Sequence, residues 1–277
     1  MTQGDLLLTD GIKIELEREE MFDSIEKELE EHAHVMAYYY DIPKHAKLNH
    51  DIHLNVVVQP AFYYDFIHHK RSISTQWGNV LFYEDDYYES PDVVIHYDNL
   101  IKVYLKILRP QDLQPSHQYR TIEISYDPYG IMTYVSELSE KSQYKITYEE
   151  LDNWRTKFFA NYYEFYRSIN HQELYQATHC LDVMRWLMAT MWLVKANIKP
   201  NQYLDWSYME GYDSLLTPEQ RETLKKWQVS GERPELKQTV QLVLEEFKML
   251  HNQLCDDLGV LEDQDYVERI INRAKVT

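Results

Sequence analysis

A basic stripe is missing from this 277-residue chain: 28 Lys and Arg stand against 46 Asp and Glu, a formal net charge of -18. Such a surface repels a phosphate backbone, which argues against nucleic acid as a partner. A single nucleoside triphosphate would need Mg²⁺ or a local cluster of cations. A long apolar run is also missing. The greasiest stretch, residues 183–194, is broken by Arg185 and is shorter than the ~20 residues a helix needs to cross a bilayer. No membrane partner is expected. The start, MTQGDLLLTDG, has no cationic segment leading into an apolar core, so no signal peptide is read there. Cysteine is scarce, only Cys180 and Cys255, without CxxC spacing. Free thiols in a reducing compartment follow, and a cytoplasmic protein is the expectation. Internal repeats and low-complexity tracts are absent.

What is present supports real cores, with 44% hydrophobic and 14% aromatic residues. Residues 12–16 alternate and read as a strand after a turn at Gly11. Met21, Ile25 and Leu29 follow at helical spacing. Residues 34–40 and 51–58 read as strands, and residues 61–71 as a short helix after Pro60. Residues 92–97 and 100–108, parted by Asp98-Asn99, form a hairpin signal. One more strand at 121–126 closes on the turn Asp127-Pro128-Tyr129-Gly130.

From Thr147 the pattern turns helical. Thr147-Tyr148-Glu149-Glu150 has capping-box form, as does Thr217-Pro218-Glu219-Gln220. Helices are expected over about 147–169, 172–197, 217 onward, 234–258 and 263–274, with Gly259 as a C-terminal cap. The second is apolar on most sides and should lie at the centre of a bundle. The fold class expected is α+β: a mixed sheet with flanking helices over residues 1–145, then a helical bundle over 146–277.

The chemistry-bearing stretch is residues 34–59, where Asp51 and His53, two apart on one strand, point to the same side of a sheet. Carboxylate and imidazole together suit Zn²⁺ or Mn²⁺, so the pair is a candidate metal site. The His32/His34 and His68/His69 pairs read as solvated. Arg185, within an apolar helix, should be paired with Asp182 or another carboxylate, because an unpaired charge there is costly. The acidic runs 26–31 and 84–89 read as solvated faces.

Three stretches, VVIHYDNLIK (93–102), SYDPYGIMTYVSEL (125–138) and ATHCLDVMRWLM (177–188) with Trp206 following, resemble the antibiotic nucleotidyltransferases, particularly the lincosamide nucleotidyltransferases and more distantly the aminoglycoside adenylyltransferases. The resemblance covers roughly 21–206. It implies a Gly-Ser pair that lets backbone and hydroxyl donors approach a triphosphate. It also implies an Asp-x-Asp or Asp-x-Glu pair holding Mg²⁺, and a third carboxylate on a later strand.

Laid onto this chain, the Gly-Ser pair falls at Tyr39-Tyr40, the second carboxylate at His53 and the third at or near Tyr104. Only Asp51 is kept. Mg²⁺ prefers oxygen ligands, so the substitutions imply a degenerate member of the superfamily, a pseudoenzyme that binds a small molecule or a protein and needs no cofactor. Tyr38, Tyr39 and Tyr40 would fill the former phosphate cleft or the core, the alternative being a stacking surface for a base. The competing reading is an active enzyme using Mg²⁺ and ATP or GTP to modify a hydroxyl of an antibiotic or small metabolite, with Glu84, Asp85 and Asp86 as supplementary carboxylates. A homodimer is a third reading.

Overall fold

The computed structural model describes residues 3–42, 44, 51–85, 87–200, 203–211, 214–261 and 264–275, and the side chains of all of these except 3–14 and 264–265. The chain divides into two compact units, 1–143 and 144–277.

The first unit opens with α1 (Gln3–Glu31), which runs straight through residues 12–16. The strand expected there is therefore a correction, and so is the turn at Gly11. Ile12 and Leu16 lie four apart, one helical turn, so the same residues satisfy both periods. The Glu- and Lys-rich sequence that follows favours the helix. Farther along α1, Met21, Phe22, Ile25 and Leu29 are buried on one stripe.

Six strands make one mixed sheet in the order β3-β4-β5-β2-β1-β6. They are β1 (Val35–Tyr40), β2 (Ile52–Val58), β3 (Val80–Glu84), β4 (Asp92–Tyr97), β5 (Lys102–Leu108) and β6 (Glu123–Tyr126). β1 lies antiparallel between β2 and β6, and β4 pairs antiparallel with both β3 and β5. β2 and β5 are parallel, joined by a crossover through α2 (Tyr63–Ser74), β3 and β4. A third helix, α3 (Ile131–Ser139), begins after Gly130, whose φ of 68° no β-carbon accommodates easily. β3 and α3 were not anticipated.

Strand alternation divides the sheet into two faces. On one, Tyr38 and Tyr40, Ile52, Leu54, Val56 and Val58, Val93 and Ile95, and Val103, Leu105 and Ile107 pack with α1 and with Phe66, Ile67 and Ile73 of α2. On the other, Ala37, Tyr39, Val57 and Leu108 pack with Met132 and Val135 of α3 and with Leu113 and Tyr119. This second cluster covers the β1 side and one end of β2 and β5. The rest of that face carries polar and aromatic side chains.

The second unit is helical: α4 (Tyr148–Asn170), α5 (Leu174–Lys195), α6 (Pro218–Lys226), α7 (Arg233–Leu258) and α8 (Gln264–Ala274). α5 is buried around most of its circumference, as its all-round apolar sequence requires. The indole of Trp154 in α4 donates to the Leu187 carbonyl of α5 at 2.9 Å, inside the core. Both capping boxes form: the Glu150 N–H donates to Thr147 Oγ1 at 3.2 Å and the Thr147 N–H to Glu150 Oε2 at 2.8 Å, with the same pattern at Thr217 and Gln220. Gly259 ends α7 at φ 64°, the left-handed cap its sequence position suggested. Arg185 donates to Asp182 at 2.6 Å and to the Trp227 carbonyl at 2.9 Å, the pairing a charge on that helix needs. Cys180 and Cys255 are buried and not disulfide-bonded, and burial pushes the Cys180 thiol up to about 11. Among the described residues no helix is long and apolar enough to cross a membrane.

Candidate functional site

The parallel pairing of β2 with β5 decides which side chains meet. Ile52 is registered with Val103 and His53 with Tyr104, so Asp51, one step earlier, comes level with Lys102. The His53 and Tyr104 rings stack with centroids 4.5 Å apart and planes within 3°. Parallel strands hold side chains of the same face at about 4.8 Å, so a flat ring on each strand stacks without distortion. Both residues are half-buried.

Asp51, whose side chain is 12% exposed, faces the Lys102 ammonium at 3.5 Å. The same ammonium stands 3.5 Å from the Tyr104 hydroxyl and 5.8 Å from the centre of that ring. Burial pulls the Lys102 ammonium down, but the Asp51 carboxylate and Tyr104 outweigh it, and the net shift is upward. Lys102 is thus held in its charged form. Farther out on this face, His96 of β4 stacks on Phe82 of β3 at 4.1 Å and lies 3.2 Å from Glu84. Asn55, two residues beyond His53 on the same face, is buried.

Alternation sends Tyr39 and Tyr40 to opposite sides of β1, where they are 2% and 0% exposed: Tyr39 is registered with Asn55 and shares this face, while Tyr40, registered with Leu54, points to the other. Tyr39 packs near Tyr119 with ring centroids 6.0 Å apart, and Tyr40 meets Phe22 of α1 edge-on at 5.0 Å. Tyr38 stacks on Tyr126 at 5.7 Å and its hydroxyl donates to Glu30 at 3.0 Å. All three rings are core, which leaves none as a stacking surface for a base. Burial raises the hydroxyl pKa of all three far above the ordinary tyrosine range.

The supplementary carboxylates are largely occupied. Asp85, with a side chain 9% exposed, receives two hydrogen bonds from Arg71, at 2.9 and 3.0 Å, and lies 3.6 Å from Lys70. Glu84 is 72% exposed beside His96, and Asp86 lies outside the described residues. The acidic runs are accordingly more than solvated faces: Glu26 accepts from Lys44 at 2.6 Å and Asp85 anchors α2 to the β3–β4 connection. The His32 and His34 rings, half-buried, also carry ring contacts besides their solvated side. His34 stacks on Phe62 at 3.4 Å, and His32 packs edge-on to Phe66 at 5.0 Å, with burial lowering its pKa.

Magnesium with a nucleoside triphosphate does not fit this donor set. Among the described residues no three His, Cys, Asp or Glu side chains come together as a metal site. A hard divalent ion needs several oxygen ligands, whereas the Asp51 carboxylate stands opposite an ammonium and, among the described residues, no further pair of His, Cys, Asp or Glu side chains gathers with it. Asp51 and His53 do share a face, without a third ligand among the described residues. Lys102 is the member of this cluster that the sequence pattern alone did not single out. The alternation Lys102-x-Tyr104-x-Lys106 places these residues on one side of a strand, but only the strand order puts that side against Asp51.

No protein-family model matches the chain. No curated protein matches it. Among solved structures it is similar to an aminoglycoside 6-adenyltransferase from Bacillus subtilis, with TM-score 0.42 and 12% identity over 94% of this chain and 97% of that one. It is also similar to a nucleotidyltransferase-like protein from Exiguobacterium sibiricum, with TM-score 0.43 and 11% identity over 87% and 77% of the two chains. At these values the likenesses carry no residue roles across.

Proposed function

We propose that this chain is a nucleotidyltransferase-like protein that lacks metal-dependent transfer and serves as a binding module for a small molecule with a planar ring. The observation that carries the reading is the His53–Tyr104 stack, 4.5 Å apart and parallel within 3°, standing where the resemblance requires two of its three carboxylates. A stacked imidazole and phenol supply a rigid apolar and hydrogen-bonding shelf in place of anionic oxygens. The neighbouring Asp51–Lys102 pair is neutral as a unit, so the shelf has no surplus charge of its own to attract a polyphosphate.

The test is a thermal-shift screen of planar metabolites and antibiotics against the full chain, run once with EDTA and once with Mg²⁺ or Mn²⁺. Binding to the native state raises its unfolding midpoint, by an amount set by ligand concentration over Kd. A ligand whose shift is the same in EDTA and in metal, and is lost in Tyr104→Ala, is the expected result. A shift by ATP or GTP that needs metal and disappears in Asp51→Ala contradicts the reading.

A further inference from the structure

The sheet ends at β3, and among the described residues no strand pairs with its outer edge. Along an antiparallel edge every second residue directs its N–H and C=O away from the sheet, which makes the edge a template for one more strand. Such edges are ordinarily blunted by lysine or proline, and the β3 sequence VLFYE contains neither. None of its five residues is buried, and Leu81 and Phe82 are 60% and 54% exposed. The register irregularity at Leu81 bends the strand without covering it. Carboxylates stand at both ends. The exposed Asp98 accepts from the Asn79 side-chain amide at 3.1 Å where β3 begins, and Glu84 stands at its close. Glu84 meets His96 of β4 at 3.2 Å and is still 72% exposed.

We propose that the β3 edge is a docking site for an extended segment of a partner protein, added to the sheet as a further strand, with apolar residues at its centre and a lysine or arginine at each end. Backbone hydrogen bonds supply the pairing, and Leu81 and Phe82 supply apolar cross-strand contacts. The carboxylates supply the selectivity. Asn79 and Glu84 are five residues apart, about 16 Å along a strand. A six-residue segment with a cation at each end therefore reaches Asp98 and Glu84 together. A second copy of this chain fits the edge badly. Antiparallel self-pairing centred between Leu81 and Phe82 sets Glu84 of each copy opposite Asn79 of the other, and so beside Asp98, between chains that each carry -18. The proposal uses neither Asp51 nor Tyr104, so it and the ring-binding reading above fail separately.

The experiment presents the full chain to an array of capped hexapeptides that carry Lys at both ends and every combination of Val, Ile, Thr and Tyr between them, beside the same array ended in Glu. The best Lys-ended peptide is then titrated by fluorescence anisotropy, unmodified and with alternate backbone nitrogens methylated in one phase or the other. Wild type is expected to prefer the Lys-ended peptide about tenfold or more over its Glu-ended counterpart. One methylation phase is expected to abolish binding and the other to be tolerated, the signature of an added strand. Glu84→Lys/Asp98→Lys is expected to reverse the charge preference, and Phe82→Thr to weaken binding of either peptide. These substitutions lie at exposed positions, and circular dichroism checks that each variant is folded. The absence of any Lys-ended binder overturns the proposal, as does binding indifferent to the methylation phase or a preference that survives charge reversal. A wild-type dimer in sedimentation equilibrium that Phe82→Thr dissolves assigns the edge to a second copy and overturns it too.

Discussion

At the scale of single residues, burial separates lysines that look alike in the sequence. Lys70 and Lys102 both lie opposite an aspartate, yet Lys70 is 1% exposed and donates to the Tyr88 carbonyl at 3.1 Å and the Ser90 carbonyl at 2.6 Å. Its ammonium ties the segment between β3 and β4 to α2, and burial holds its pKa below the usual lysine value although Asp85 pulls the other way. Lys70→Met leaves two carbonyls without their donor and Asp85 with Arg71 alone. Removing one member of a buried, hydrogen-bonded charge group costs about 3 kcal/mol. A urea titration of the full chain should show a loss of that size in its first unit, whereas a loss under 1 kcal/mol would mean the segment re-pairs with solvent.

At the scale of elements, the helix boundaries rest on caps whose chemistry is local. Thr147→Ala deletes the acceptor of the Glu150 N–H and the hydroxyl that Glu150 also binds, and should destabilise the second unit by about 1 kcal/mol. Thr147→Ser keeps the acceptor and should restore most of it, both read as shifts in the denaturation midpoint. These caps were legible in the sequence because they depend on residues three apart. The pairing of Asp51 with His53 on one face was legible for the same reason. The Asp51–Lys102 contact was not, because it depends on β2 and β5 being parallel neighbours across a crossover of two strands and a helix. β3 escaped notice since it is an edge strand with Leu81 and Phe82 exposed, so burial imposes no clean alternation on it. The local spacing at Ile12 and Leu16 was legible and misleading, fitting a five-residue strand and one turn of helix equally well.

At the scale of the whole molecule, 24 tyrosines set how the protein responds to base. Tyr38, Tyr39, Tyr40, Tyr97 and Tyr162 are buried, and burial raises each hydroxyl far above its ordinary value. An unfolded tyrosine ionises near pH 10, about, so below that pH both states hold the proton and the contribution to stability is constant. Above it the unfolded chain releases protons that the folded chain keeps, and stability falls as pH rises. A titration followed by tyrosinate absorbance should be biphasic: exposed rings ionise reversibly, then the buried ones ionise together with loss of the circular dichroism signal. A single smooth transition without unfolding would contradict the burial of these rings. The formal charge of -18 adds self-repulsion that grows as more phenolates form, so added salt should move the second phase to higher pH.

Whether the Asp51 face performs metal-dependent nucleotidyl transfer is read from pyrophosphate release. The full chain is incubated with ATP or GTP, Mg²⁺ or Mn²⁺, and a panel of hydroxyl-bearing lincosamides, aminoglycosides and small metabolites. No pyrophosphate above the level of heat-denatured protein is expected for any combination. Release that requires metal and acceptor, and that Asp51→Ala abolishes, would contradict that expectation.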